Sequence, residues 1–106
     1  MLLRNLKPTK NIKYFSTYIH KYKNLNGGKI IYEKLLENDV KNVFMYSGGA
    51  IMPLVDCFYK NKIKYYINAH EQNCGHAATG LAKSSGQTGV CVVTSGPGLT
   101  NLVTSM

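Results

Sequence analysis

"GVCVVTSGPGLTNL", residues 89–102, changes character twice within fourteen positions. Val90, Cys91, Val92, Val93 and Thr94 form one continuous, mostly β-branched run. Such a run fits a strand of a parallel sheet, where both faces are covered and no polar alternation is needed. "SGPG" at 95–98 interrupts it, and the apolar spacing from Leu99 onward is helical. Strand, glycine-rich turn and helix in that order are the elements of a βα unit.

Working outward, the same succession recurs upstream. "GGKIIYEKLLEND" from Gly27 reads as an amphipathic helix, with Ile31, Leu35 and Leu36 on one side and Glu33 and Glu37 on the other. "NVFMYS" (42–47) reads as a buried strand, broken by "GGA" at 48–50. A helix follows in which Pro53 belongs to the first turn and Leu54, Val55 and Phe58 form a face. "KYYIN" (64–68) is a further short strand. Strands alternating with helices predict an α/β fold of three layers, α/β/α, around a parallel sheet. Three strands with open edges make a poor stand-alone domain, so the expectation is the front, truncated part of a longer chain.

"NAHEQNCGHAATGLAKSSG" (68–86) supplies the helix between the second and third strands. Cys74, Ala77, Ala78, Leu81 and Ala82 form its apolar stripe, and Gly86 stops it. Glu71 lies one turn before Cys74 on the same side. A first-turn acid is favoured by the helix dipole alone. Its phase, however, turns it toward packed apolar groups, where burial raises a carboxyl pKa while the helix terminus lowers it. A carboxyl group so balanced suits proton transfer. His70, one residue earlier, is assigned packing or hydrogen bonding, and His76 is assigned to the surface.

The formal net charge of +8 is unevenly placed. Residues 1–32 carry seven cations and no acid, whereas residues 33–106 carry six lysines and five acids. The nearly neutral body gives no reason to expect a nucleic-acid groove. The basic segment has three readings: a nucleic-acid tail, a solvated extension, or a mitochondrial or plastid transit peptide, which is acid-free and rich in spaced cations and hydroxyls. Without targeting, the location would be cytoplasmic. The segment contains neither a membrane span nor a secretory apolar core. Cys57, Cys74 and Cys91 form no CxxC pair and read as buried free thiols, with no zinc site or disulfide framework. No metal-ligand set is assigned.

Ser47–Ala50 and Ser95–Gly98 would both lie at carboxyl ends of parallel strands, where open α/β sheets bind ligands. Glycine allows close approach, and the following helix start offers N–H groups. Neither loop is a dinucleotide fingerprint or a P-loop. By themselves they fit plain βα turns as well.

Taken together, the GGA loop, the His70-Glu71-Gln72 triplet, the Ala77-Ala78-x-Gly80 helix and Thr94-Ser95-Gly96-Pro97-Gly98-x-Thr100-Asn101 carry a resemblance. The chain from Gly27 to Met106 resembles the N-terminal pyrimidine-binding domain of thiamine diphosphate enzymes, and most of all the acetolactate synthase branch. The resemblance implies the thiamine diphosphate-binding fold. It places Glu71 at the glutamate that hydrogen-bonds N1′ of the aminopyrimidine, favouring the tautomer whose 4′-imino group takes the C2 proton of the thiazolium. Gly48, Gly49 and Ala50 match a loop beside the thiazolium and substrate. Gln72 matches the synthase branch and, with Ala50, the substrate vicinity. Gly96, Pro97, Gly98 and Asn101 match a loop near the cofactor.

The activity so implied is a carboligase or decarboxylase acting on 2-keto acids such as pyruvate, as in branched-chain amino-acid biosynthesis. The alternatives are a non-catalytic remnant or another thiamine diphosphate-dependent decarboxylase or lyase. The resemblance further implies Mg²⁺ and diphosphate held by a domain outside this chain, FAD in the full enzyme, and a homodimer or homotetramer. It implies no nucleic-acid or membrane partner, and an inactive chain when alone. Residues 1–26 are expected to be the basic extension and 27–106 the partial cofactor domain. The chain departs from the family pattern at Ser47, usually proline, at Thr79, usually glutamate, and at Lys83, usually arginine.

Overall fold

The computed structural model describes residues 21–59 and 61–106. The cation-rich residues 1–20 lie outside the described residues, so the fold bears on the domain beginning near Gly27. Helix α1 (Gly27–Glu37) starts at Asn26, whose side chain accepts from the Lys29 N–H at 2.8 Å. That cap satisfies one of the donors every helix start leaves open. Strand β1 (Asn42–Met45) follows, then a 3₁₀ turn (Gly49–Ile51) running into α2 (Met52–Phe58), with Pro53 in its first turn. Next come β2 (Lys64–Ile67), α3 (Glu71–Ser85), β3 (Val90–Val92), α4 (Pro97–Leu102) and a closing 3₁₀ turn (Val103–Ser105).

The sheet is parallel in the order β2-β1-β3. Alternation along β1 sends Val43 and Met45 to one face and Phe44 to the other. On the first face α1 and α2 pack together over a core of Tyr32, Val40, Val43, Met45, Leu54, Phe58 and Ile63. Val43, Met45, Phe58 and Ile63 are at most 1% exposed, which is worth about 1.5–3 kcal/mol per large apolar side chain. The Tyr32 ring stands edge-on to Phe58 at 5.4 Å, and its hydroxyl accepts from the Lys62 N–H at 3.1 Å. A Cβ at Gly28 would lie 2.4 Å from the Pro53 carbonyl, so α1 and α2 meet backbone to backbone.

On the second face lie α3 and α4. Gly75 is packed against Ser105 and Leu102, and Gly89 against the Ala78 carbonyl. Helices therefore flank the parallel sheet on both sides, as the α/β/α expectation requires.

Several local expectations are corrected. Leu35 and Leu36 pack against the core as expected, but Ile31 is 49% exposed and its neighbour Tyr32 takes the core position instead. The third strand is shorter than 89–94, and its residues are half-buried because β3 pairs on one side only. Cys74 is buried, whereas Cys57 and Cys91 are half-buried. On α3 the fully covered positions are Glu71, Cys74, Gly75 and Ala78, while Leu81 and Ala82 remain half-exposed. Gly86 ends α3 in the left-handed conformation, at φ 70°.

Candidate functional site

Parallel strands bring their following loops to one edge of the sheet, and three such loops meet here. After β1 the Tyr46 N–H still bonds the Val92 carbonyl at 3.1 Å, carrying the pairing to the loop. After β2 the Asn68 N–H bonds the Met45 carbonyl at 3.0 Å in the same way. The chain then enters α3 through His70, whose extended backbone and Nδ1, accepting from the Gln72 N–H at 3.2 Å, cap the helix. His70 thus takes the hydrogen-bonding role expected of it, and His76 is exposed as expected. His70 Nε2 lies 4.0 Å from Glu71 Oε2, too far for a hydrogen bond.

Glu71, the first residue of α3, is 8% exposed and the only buried charged side chain among the described residues. Its Oε2 accepts from Asn101 Nδ2 at 3.1 Å, a contact across thirty residues from the start of α3 to the last turn of α4. The glutamate's own backbone N–H and the Asn101 amide hold its carboxyl below the ordinary range. Burial opposes them and His70 adds a smaller lowering. The two opposing influences read from the sequence are both present, and the helix start with its amide partner prevails.

Thr94 joins the loops. A Cβ at Gly48 would lie 2.4 Å from Thr94 Cβ, and one at Gly98 would lie 2.8 Å from Thr94 Cγ2 and 3.4 Å from Glu71 Oε1. Both glycines are therefore required by packing within the chain itself. Gly96 opens α4 at φ 68°, a conformation that only glycine adopts readily. Gly49 differs from all three, because it is exposed, a Cβ there would meet nothing within 4 Å, and its φ is not left-handed. Neither packing nor backbone conformation accounts for this glycine.

The structure thus sets Gly48 and Gly98 against Thr94, and Gly98 and Asn101 against Glu71. Ala50 and Pro97 are exposed and Gln72 is half-buried; none of them hydrogen-bonds to the Glu71 carboxylate. Thr94 was missed as a site residue because it reads as the last β-branched residue of a strand. Its position directly before "SGPG" was the available signal. A cavity of about 330 Å³ lies elsewhere, between α3 and the last segment, lined in part by Gly75, Ala78, Cys91, Leu102 and Met106; it includes none of the expected site residues.

A parallel α/β domain with a buried carboxylate and glycine turns at the carboxyl edge of its sheet has the form of a cofactor-binding domain. The family described as "Thiamine pyrophosphate enzyme, N-terminal TPP binding domain" matches residues 25–106, and the chain belongs to that family. Among similar proteins, the mitochondrial acetolactate synthase catalytic subunit of Aspergillus candidus is 47% identical over 81 residues, covering 76% of this chain and 12% of that protein. The acetolactate synthase isozyme 2 large subunit of Escherichia coli K12 is 44% identical over 82 residues, covering 77% of this chain and 15% of that protein. The mitochondrial catalytic subunit of Saccharomyces cerevisiae is 47% identical over 83 residues, with 77% and 12% covered. The chain thus spans between 12% and 15% of the length of these relatives. Among the described residues no helix is long and apolar enough to cross a membrane.

Proposed function

We propose that this chain forms the aminopyrimidine side of a thiamine diphosphate site in an acetolactate synthase-like carboligase acting on 2-keto acids such as pyruvate. The observation that carries the reading is Glu71: a carboxyl group 8% exposed, kept in its charged form, at the sheet edge where three loops converge. The fit to the cofactor is chemical, since an anionic oxygen at a helix start is a suitable acceptor for a protonated ring nitrogen.

When bound, thiamine diphosphate supplies the thiazolium carbon that attacks the keto acid. Glu71 holds a proton at the pyrimidine N1′ by offering a charged acceptor. Burial excludes water from that contact and strengthens it. Gly48, Gly49 and Ala50 present backbone beside the thiazolium and substrate, and Gly49 leaves the open approach that a bulky neighbour requires. Gly96, Pro97 and Gly98 shape the other wall, Gln72 lies toward the substrate, and Asn101 serves Glu71. The diphosphate and Mg²⁺ are assigned to a separate domain of the complete enzyme, FAD to another, and the assembly to a homodimer or homotetramer. Residues 27–106 are the partial cofactor domain, and residues 1–26 are a targeting extension for mitochondrion or plastid.

Glu71→Gln in the complete enzyme tests the reading. Glutamine keeps the shape and an oxygen for Asn101, so the melting temperature should stay near that of the wild type. It cannot supply the charge that stabilises a protonated N1′. Turnover should therefore fall by about 10²–10⁴-fold, the usual worth of general acid–base assistance. Exchange of the cofactor C2 proton, followed by NMR, should slow in parallel. Exchange at the wild-type rate would overturn the role of Glu71 and favour a non-catalytic remnant.

A further inference from the structure

Asn101 stands out once the glycines are explained. It is an exposed residue on α4, yet its amide is turned inward to the one buried carboxylate among the described residues. Its backbone belongs to the element after β3, while Glu71 belongs to the element after β2. No other side chain among the described residues donates a hydrogen bond to Glu71. His70 Nε2 is 4.0 Å away, and Gly98, three residues before Asn101 on α4, lies beside the carboxylate, where a Cβ would stand 3.4 Å from Glu71 Oε1.

We propose that Asn101 is a positioning residue: its amide clamps Glu71 Oε2 across two βα units, fixing the carboxylate in one rotamer and in its charged form before any cofactor arrives. The inference rests on the cofactor reading for its purpose but not for its existence. A glutamate side chain has three rotatable bonds, and a helix N–H restrains only one end of that freedom. A donor from a second helix removes most of the remainder, so the acceptor is preorganised when the pyrimidine binds. The charged and titratable groups facing Glu71 are few. His70 lies beside it on its own element and Cys74 one turn on, with Asn101 and Gly98 opposite on α4. Asn101 is thus the group whose removal isolates the effect.

The chain contains three glutamates, Glu33, Glu37 and Glu71, so ¹³C labelling at glutamate Cδ gives three titrating NMR signals. The Glu71→Gln variant assigns the one of interest. Asn101→Leu keeps the volume and removes the donor, Asn101→Ala removes both, and Asn101→Asp places a second carboxylate opposite the first. The Glu71 midpoint should move upward in the Leu and Ala variants alike, and furthest in the Asp variant. Asn73→Ala, an exposed change on the same helix as Glu71, should leave it in place. Because Asn101 is exposed, none of its substitutions removes core packing; unchanged amide spectra elsewhere verify this in each sample. An unmoved midpoint in both Asn101→Leu and Asn101→Ala would overturn the clamp. The titration contains no cofactor, so that failure would leave the cofactor reading standing. Conversely, wild-type C2 exchange in Glu71→Gln would reject the cofactor reading with the clamp intact.

Discussion

Glycine has different physical origins at neighbouring positions of this edge, and mutation should separate them. At Gly98 the obstacle to a side chain is Thr94 Cγ2 at 2.8 Å, whereas at Gly48 it is Thr94 Cβ itself at 2.4 Å. Gly98→Ala should therefore cost about 1–3 kcal/mol, the usual range for overpacking, and Thr94→Ser, which deletes Cγ2, should recover most of it. Gly48→Ala should cost at least as much, but the same Thr94→Ser change should not rescue it, because serine retains Cβ. Denaturant midpoints of the three single and two paired variants decide the matter through two double-mutant cycles. Equal rescue at both glycines would show that Thr94 is not the common wedge between the loops. Gly49 provides the contrast: with open space and no left-handed φ, an alanine there should leave stability level.

Helices α1 and α3 start at side-chain caps, Asn26 and His70, and α1 is also tied to the segment before it. Glu37, at the end of α1, accepts from Lys21, from Lys34 at 2.8 Å and from the Tyr22 hydroxyl at 2.6 Å. Lys21 foremost, then Lys34 and Tyr22, hold the Glu37 carboxyl down to about 2. Desolvation, followed by the hydrogen bond to Glu37, pushes the Tyr22 phenol up to about 12. The signs give a window. A depressed carboxyl contributes above its unfolded value of 4.5 and loses that contribution as pH falls through 2. A raised phenol contributes below 10 and loses that contribution as pH rises through 12. The tie of residues 21–22 to α1 should therefore be complete between those limits and should loosen outside them. The network is exposed and screened by salt, so its readout is a titration rather than global unfolding. The difference in tyrosinate absorbance between wild type and Tyr22→Phe should show a phenol ionising near 12. A Tyr22 that ionises near the ordinary phenol value of 10 would contradict the tie.

At the scale of the whole molecule the charge is segregated. Seven cations and no acid fall within residues 1–32, while the six lysines of residues 33–106 are nearly balanced by five acids. The described domain therefore does not account for the net charge of +8. A targeting role for residues 1–26 gives that asymmetry a purpose, and two of the similar proteins carry "mitochondrial" in their names. Fused ahead of a fluorescent protein, these residues should direct it to mitochondria or plastids in a eukaryotic cell. A signal confined to the cytosol would reject the role.

The order of elements, the parallel sheet, the stop at Gly86 and the exceptional status of Glu71 were all legible in the sequence. Each depends on local causes: a β-branched run, a glycine in the left-handed conformation, or a carboxylate on an apolar stripe. The choice of Tyr32 over Ile31 for the core was not legible, because both are apolar enough for that position. What settled it was Phe58, whose ring meets Tyr32 edge-on, and the backbone N–H groups at 62 and 63 that the Tyr32 hydroxyl satisfies. Nor was the pairing of Asn101 with Glu71 legible, nor the wedge formed by Thr94. Hydrophobic period and turn chemistry act over a few residues and are written in order along the chain. Which loops converge depends on parallel pairing, which carries successive strand ends to one edge and brings residues thirty positions apart within 3.1 Å.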